Sequence, residues 1–247
     1  MRTYTDSKLS YFFERTEDSV LLDDEKAKAY HTDLGTAGYL SIRTRPDILL
    51  AYGELSRHVK APTVEDEKKL NRLISYLQAT RDIPLRLGCS MPPQIIVSAD
   101  ASFANRADMK STSGASMTLG TGVFFASSKV QKINSRSSTE AEIISASDSM
   151  SISLWLRDFL ISQGYPERPI VLQQDNQLAI MLMTKGRSTA NSTRFISIRY
   201  FWLCDYIKRG LIEIIYIPTA DMISDYFTKP VQGSIFDNLI KKIMGVK

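Results

Sequence analysis

The hydrophobic period changes along the chain, and the changes divide it. Between residues 24 and 80 apolar positions recur three or four apart. Leu70, Leu73, Ile74 and Leu77 keep this spacing behind Thr63, a good N-cap followed by acidic Glu65, Asp66 and Glu67. A second apolar stretch, Ile48 to Leu55, begins behind Pro46, a residue tolerated in a first helical turn. Residues 1–20 show no period and are expected to form a loosely packed lead-in. Pro84 and the run Met91-Pro92-Pro93 interrupt the pattern. The boundary falls near residue 90, giving a helical segment over 1–90 and a second domain over 91–247.

Beyond the prolines the pattern turns to strands and then mixes. Strands are expected over Gln94–Phe103, Ser113–Leu119 and Val123–Ala126, the last extended by Lys129–Asn134, with Gly120 and Gly122 at the turn. A long helix spans Ser137 to Gly164, followed by a short strand at Ile170–Gln174 and a helix at Asn176–Lys185. Ser192–Lys208 reads as a helix closed by Gly210, and Leu211–Ile217 as an alternating strand. A last helix begins at Asp221 and is cut by Pro230. The amphipathic tail Phe236–Met244 is expected to dock on the domain. Strands followed by helices in this order predict an α/β fold, a mixed sheet with helices on its faces.

Composition narrows the class. With 43% hydrophobic and 23% charged residues the chain has a globular mix, which excludes disordered, collagenous and coiled-coil chains. No stretch approaches the roughly 18 apolar residues of a membrane span. Met1 to Asp6 is polar and offers no signal-peptide core, so neither a membrane nor secretion is expected. Cys89 and Cys204 lie far apart, against a disulfide framework or a cysteine zinc site. A net charge of +4 is compatible with an anionic partner such as nucleic acid. Trp155 and Trp202 sit in apolar helical surroundings and read as core, as do Tyr200, Phe201 and Tyr206; Cys204 reads as a small buried hydrophobe.

The candidate chemistry lies in acids at element ends. Asp100 sits late in the first strand, where a carboxylate is costly unless paired or bound to a metal. Asp175 ends the short strand, the place where α/β sheets bind ligands. Glu142 lies in the first turn of the long helix and Asp225 in the last helix. Such hard oxygen donors suit Mg²⁺ or Mn²⁺, and two such ions can activate a water against a phosphodiester. Taken singly, each acid fits a cap or a solvated residue better than a catalytic role. Both Ser137–Glu140 and Thr139–Glu142 match a capping box, and spacing alone does not choose between the two glutamates.

Several blocks, in order, carry a resemblance. They are Ser98-Ala99-Asp100-Ala101-Ser102-Phe103, Arg106, Lys110 to Gly114, Ser127 to Lys132, and Ser137-Ser138-Thr139-Glu140-Ala141-Glu142. Then come Asp175-Asn176-Gln177-Leu178-Ala179-Ile180, Ile198-Arg199-Tyr200, Ile217 to Asp221, Ser224-Asp225 and Thr228-Lys229-Pro230. Together they resemble the ribonuclease H domain of Ty1/copia-type retrotransposon polyproteins. Arg43 to Ile48 and Leu55-Ser56-Arg57 resemble the segment after the reverse transcriptase palm.

The resemblance implies a ribonuclease H-like fold: a five-stranded mixed sheet flanked by helices, preceded by a helical segment derived from reverse transcriptase. It implies hydrolysis of the RNA strand of an RNA–DNA hybrid with two Mg²⁺ or Mn²⁺ ions. It assigns Asp100, Glu142, Asp175 and Asp225 as catalytic and metal-holding residues, with Glu140 left to cap. Implied partners are the hybrid and the rest of a reverse transcriptase polyprotein, in a cytoplasmic particle or the nucleus. Two departures stand out. Phe195 replaces a histidine of the pattern, and no Tyr-x-Asp-Asp hairpin is present, so no polymerase activity is expected; Asp23-Asp24 reads as a cap.

Backbone contacts are the expected mode of hybrid recognition. Lys129, Lys132 and Arg136 are the candidate phosphate contacts, with Asn176 and Gln177 beside Asp175, and Arg194 and Arg199 as weaker ones. A solvated basic face is the competing reading of the cations, and a non-cutting, nucleic-acid-binding remnant that of the whole chain.

Overall fold

The computed structural model describes residues 19–106, 108–185 and 194–246. Among them, five strands form one mixed sheet: β1 (Ile96–Ser102), β2 (Thr112–Thr118), β3 (Phe125–Val130), β4 (Ile170–Gln174) and β5 (Ile212–Tyr216). The spatial order is β3-β2-β1-β4-β5. The first three strands form an antiparallel meander; β4 lies parallel to β1, and β5 parallel to β4. The third strand starts two residues later than the sequence suggested and takes in Lys129, but not the residues beyond Val130.

Two layers of helix cover the sheet. α4 (Ser138–Ser162), α5 (Gln177–Lys185) and α6 (Arg194–Lys208) take one face. Ile143, Ala146 and Met150 of α4 meet Val97, Ala99, Met117, Ile170 and Leu172 there in one apolar core. The expected helix start at Ser192 lies outside the described residues.

The other face is unusual for a sheet, being lined by small polar residues. Ser98, Asp100, Gly114, Ser116 and Ser128 share it, because residues directly opposite in the ladder point the same way. A short helix, α7 (Asp225–Thr228), presses onto it. Ser98 Oγ lies 2.8 Å from Ser224 Oγ and accepts from Ser224 N, and Ser128 Oγ donates to Phe227 O at 2.7 Å. Gly114 permits the approach: a Cβ there would lie 2.6 Å from Thr228 Cγ2 and 2.7 Å from Ser224 O.

The upstream helices are α1 (Asp24–Arg43), α2 (Leu49–Ser56) and α3 (Val64–Ala79). Asp23 caps α1 through Lys26 N, and Thr63 and Asp66 form a reciprocal capping box on α3. Their apolar faces are covered within the chain: Tyr30, Leu34, Leu55 and Leu73 share a core with Tyr226 and Phe227 of α7 and with Leu239, Ile243 and Met244 of α8 (Gly233–Met244), the amphipathic tail, which docks as expected. Arg45 and Asp47 lock the joint. The Arg45 guanidinium bonds both Asp47 carboxylate oxygens at 2.9 and 2.7 Å, Tyr76 Oη donates to the same carboxylate, and Tyr226 Oη donates to Asp47 O at 2.9 Å. The expected lead-in over 1–20 lies almost wholly outside the described residues.

Two packing expectations are corrected. Trp155 is not core but 66% exposed, stacked on Phe159, and Phe201 is also exposed. α4 is apolar on both sides, and its inner side is already filled by Ile143, Ala146 and Met150. Trp202 and Tyr206 do pack against the core, and Cys204 is buried. The side chain of Tyr200 lies outside the described residues. No helix among the described residues is long and apolar enough to cross a membrane.

Candidate active site

Strand register brings the first two acids together. Ser98 pairs with Gln173 across β1 and β4, and two further residues on the same register set Asp175 opposite Asp100. Asp225, the first residue of α7, arrives from the layer above. Carboxylate oxygens of Asp100, Asp175 and Asp225 all lie within 4.8 Å of one another. Asp100 and Asp225 are buried and Asp175 is half-buried.

Each carboxylate is held by its neighbours. Thr228 Oγ1 donates to Asp100 Oδ2 at 2.5 Å, and Thr219 Oγ1 to Asp175 Oδ2 at 2.7 Å. Lys229 Nζ lies 2.8 Å from Asp225 Oδ2, while the buried Asp225 Oδ1 has no hydrogen-bond partner.

Glu142 reaches the cluster from α4 but stands outside the close trio. Its carboxyl group bonds with Asp100 and accepts from Gln174 Nε2 at 3.4 Å. Burial, then the charges of Asp100 and Asp175, push Glu142 up to about 10. Burial and Asp100 push Asp225 up to about 7, against the opposing pull of Lys229. Burial alone would lower the Lys229 ammonium, but Asp225, Asp100 and Asp175 outweigh it and raise its pKa. Burial and the neighbouring acids thus raise Glu142 and Asp225, and Lys229 offsets part of the charge at Asp225.

The two glutamates take different surroundings. Ser137 Oγ accepts from Glu140 N, and the Glu140 carboxylate accepts from Arg136 N at 2.6 Å, so Glu140 serves the helix start. Asn176 Oδ1 accepts from Ala179 N, so its side-chain oxygen caps α5, and Gln177 is exposed on the first turn. Lys129, Lys132 and Arg136 are exposed on β3 and the loop behind it. Arg199 is engaged in an ion pair with Asp148 of α4. The side chains of Arg194 and Phe195 lie outside the described residues.

Sequence reasoning passed over Gln174. Its side chain is fully buried, donates to Ala99 O and Glu142 Oε2, and accepts from Asp175 N at 2.8 Å and Asn176 N at 3.0 Å. The signal was present in the alternation: Gln174 is in phase with the buried Ile170 and Leu172. Thr228 and Lys229 had been noted only within a motif.

A five-stranded sheet ordered 3-2-1-4-5, with an antiparallel meander and two parallel additions, defines a ribonuclease H-like α/β fold. No protein-family model matches the chain. Its homologues are Pol polyproteins of Ty1/copia-type transposons, and the chain fits the C-terminal part of such a Pol. It is 31% identical over 218 residues to the retrovirus-related Pol polyprotein from transposon TNT 1-94 of Nicotiana tabacum, covering 88% of this chain and 16% of that one. It is 32% identical over 216 residues to that from transposon RE1 of Arabidopsis thaliana, with 87% and 15% covered. With the Ty1-JR2 Gag-Pol polyprotein of Saccharomyces cerevisiae it shares 28% over 228 residues, with 89% and 13% covered. The chain therefore spans only about a seventh of the curated relatives it matches. Among solved structures, LC11-RNase H1 in complex with RNA/DNA hybrid overlays at a TM-score of 0.42 and 14% identity, covering 55% of this chain and 94% of that one. A foamy viral protease-reverse transcriptase in complex with dsDNA overlays at 0.46 and 14%, covering 86% and 41%. The fold assignment rests on the strand order and not on these overlaps.

Proposed function

We propose that the chain is the ribonuclease H end of a retrotransposon Pol, an endoribonuclease that hydrolyses the RNA strand of an RNA–DNA hybrid. The observation that carries this reading is the convergence of Asp100, Asp175 and Asp225 within 4.8 Å at the carboxyl ends of β1 and β4, with Glu142 beside them. It acts where reverse transcription takes place, in a cytoplasmic particle or the nucleus, with the other Pol domains as partners. No polymerase activity is expected of this chain. The division at residue 90 is kept as a boundary of origin, since the helical segment and the second domain share a core.

The residues fit divalent cations. All donors are hard carboxylate oxygens, and one of them, Asp225 Oδ1, is buried without a partner. Asp100, Asp175 and Asp225 would hold Mg²⁺ or Mn²⁺, with Glu142 completing the set for a second ion. Bound ions supply Lewis-acid stabilisation and a water of lowered pKa. The protein's part is to fix the donors. Thr228 and Thr219 each orient one carboxylate. Gln174 ties Glu142 to the turn that carries Asp175. Lys229 neutralises part of the charge at Asp225 and lies where it can meet an incoming phosphate.

The test is cleavage of a labelled RNA–DNA hybrid with Mg²⁺ or Mn²⁺, beside the Asp100→Asn variant. Asparagine keeps an oxygen to accept from Thr228, so the fold is retained while the charge is lost. Cutting of the RNA strand by the parent alone supports the reading. Equal cutting by the variant, or cutting of duplex DNA in preference, refutes it. Hybrid binding without cutting by either protein assigns the chain to the non-catalytic remnants.

A further inference from the structure

We infer that Lys229 is a displaceable counter-cation of the acid cluster: it competes with a divalent ion for Asp225, and an incoming phosphodiester draws the ammonium away and so opens Asp225 to the ion. The inference rests on the hybrid-cutting reading above. It adds an order of assembly, in which substrate and metal help each other to bind.

The three acids of the trio are held differently. Asp100 accepts from the Thr228 hydroxyl and Asp175 from the Thr219 hydroxyl. Asp225 Oδ2 is instead paired with Lys229 Nζ at 2.8 Å, and Asp225 Oδ1 is buried without a partner. Among the described residues no second cation pairs with Asp100, Glu142, Asp175 or Asp225. The charges of Asp100 and Asp175 act on the ammonium as well. A neutral hydroxyl shares a carboxylate with a cation at little cost, whereas two cations on one carboxylate repel each other. Asp100 and Asp175 are therefore ready for an ion, while Asp225 already carries a positive charge that an ion must displace.

The ammonium is placed to leave. The Lys229 side chain is 45% exposed, against 7% for Asp225. Lys229 follows the last residue of α7 in extended backbone, and Pro230 restricts the chain beyond it. The side chain is thus the part that moves, a charge on a flexible four-carbon stem. A phosphodiester at the cluster offers that charge an anionic oxygen on the open side. When the ammonium turns to it, Asp225 gains a divalent ion in exchange, so no buried carboxylate is left uncompensated. By reciprocity, substrate raises the affinity for metal by the factor by which metal raises the affinity for substrate.

The sign of one effect separates this role from simple anchoring. If Lys229 only steadied Asp225, its loss would loosen a donor and weaken metal binding; competition requires tighter binding. The experiment measures Mn²⁺ affinity from the spectroscopic signal of the free ion. It uses the full chain in a Glu142→Gln background, which keeps the trio and stops consumption of hybrid. Without hybrid, Lys229→Gln is expected to bind Mn²⁺ about fivefold tighter or more than its parent. Lys229→Arg keeps the charge and should stay near the parent, and Lys26→Gln, exposed on α1, should change nothing. A labelled RNA–DNA hybrid should tighten Mn²⁺ binding by the parent about fivefold or more, and by Lys229→Gln less than half as much. A thermal melt verifies that each variant is folded. An affinity of Lys229→Gln equal to or below the parent's overturns the competition. Tighter binding with an unchanged effect of hybrid overturns the transfer to phosphate. Both results leave the ribonuclease reading standing where the chain with Glu142 restored cuts hybrid. No Mn²⁺ binding by any of these proteins, with no cutting, overturns both.

Discussion

Replacing Gln174 by methionine tests whether one buried amide organises the acid cluster. Methionine keeps the length and most of the volume, so no large cavity forms. It removes four hydrogen bonds. The two donated by Nε2, at 3.3 and 3.4 Å, are long and contribute little. The two accepted by Oε1, at 2.8 and 3.0 Å, satisfy the backbone N–H groups of Asp175 and Asn176 in a half-buried turn. Leaving a buried donor unmade costs about 1–3 kcal/mol, so the pair predicts a loss of about 2–4 kcal/mol. For a chain of this size that lowers Tm by roughly 5–15 °C. The same turn carries Asp175, and Glu142 loses its tether, so kcat for hybrid cleavage should fall about tenfold or more while KM changes little. Urea unfolding and steady-state cleavage measure the two effects. A variant with parental midpoint and parental kcat would show that the amide organises nothing.

Three further outcomes are expected. Asp47→Ala leaves the Arg45 guanidinium buried without its carboxylate and removes the acceptor of Tyr76, so urea unfolding should report a loss of about 3–5 kcal/mol; a loss under 1 kcal/mol would contradict the clamp. In the metal-free protein Asp225 at about 7 and Glu142 at about 10 are both raised, so their contribution to stability is complete below the unfolded carboxylate pKa of about 4 and is lost as pH rises through these values. Tm in EDTA should therefore fall between about pH 5 and pH 8, and Mg²⁺ should raise Tm more at the higher pH, where fewer protons compete; a Mg²⁺ effect independent of pH would contradict this. Trp155→Ser should alter stability by less than about 1 kcal/mol, since the ring is 66% exposed and loses only its stack on Phe159; a calorimetric scan decides it.

What the sequence disclosed follows the range of the interactions involved. Strand and helix order came from local period, whereas spacing left Glu140 and Glu142 open and only the resemblance told them apart. Boundaries shifted where a cap took a residue, as at Asn176, or where a turn redirected the chain, as at Thr219–Asp221, a short 3₁₀ turn that leaves Asp225 at the start of its helix. The period could not say which side of α4 meets water, because Leu154, Trp155 and Leu156 are all apolar. It did mark Gln174 over Gln173 as the buried one, in phase with Ile170 and Leu172, but not what its amide would bond.

The least legible feature is also the one on which the site depends most. Asp225 sits on a helix of four residues, too short to hold itself by its own hydrogen bonds. Its place is fixed from both sides. Ser98, Ser128 and Gly114 seat α7 on the sheet, while Asp47 O receives Tyr226 and the upstream helices enclose Phe227. Remove the upstream helices and Tyr226 and Phe227 face water, and the fourth acid loses half of its support. The segment resembling the end of a reverse transcriptase is therefore a wall of the acid cluster, which explains why Arg45-Pro46-Asp47 and Ser224-Asp225, so far apart in sequence, act on one short helix.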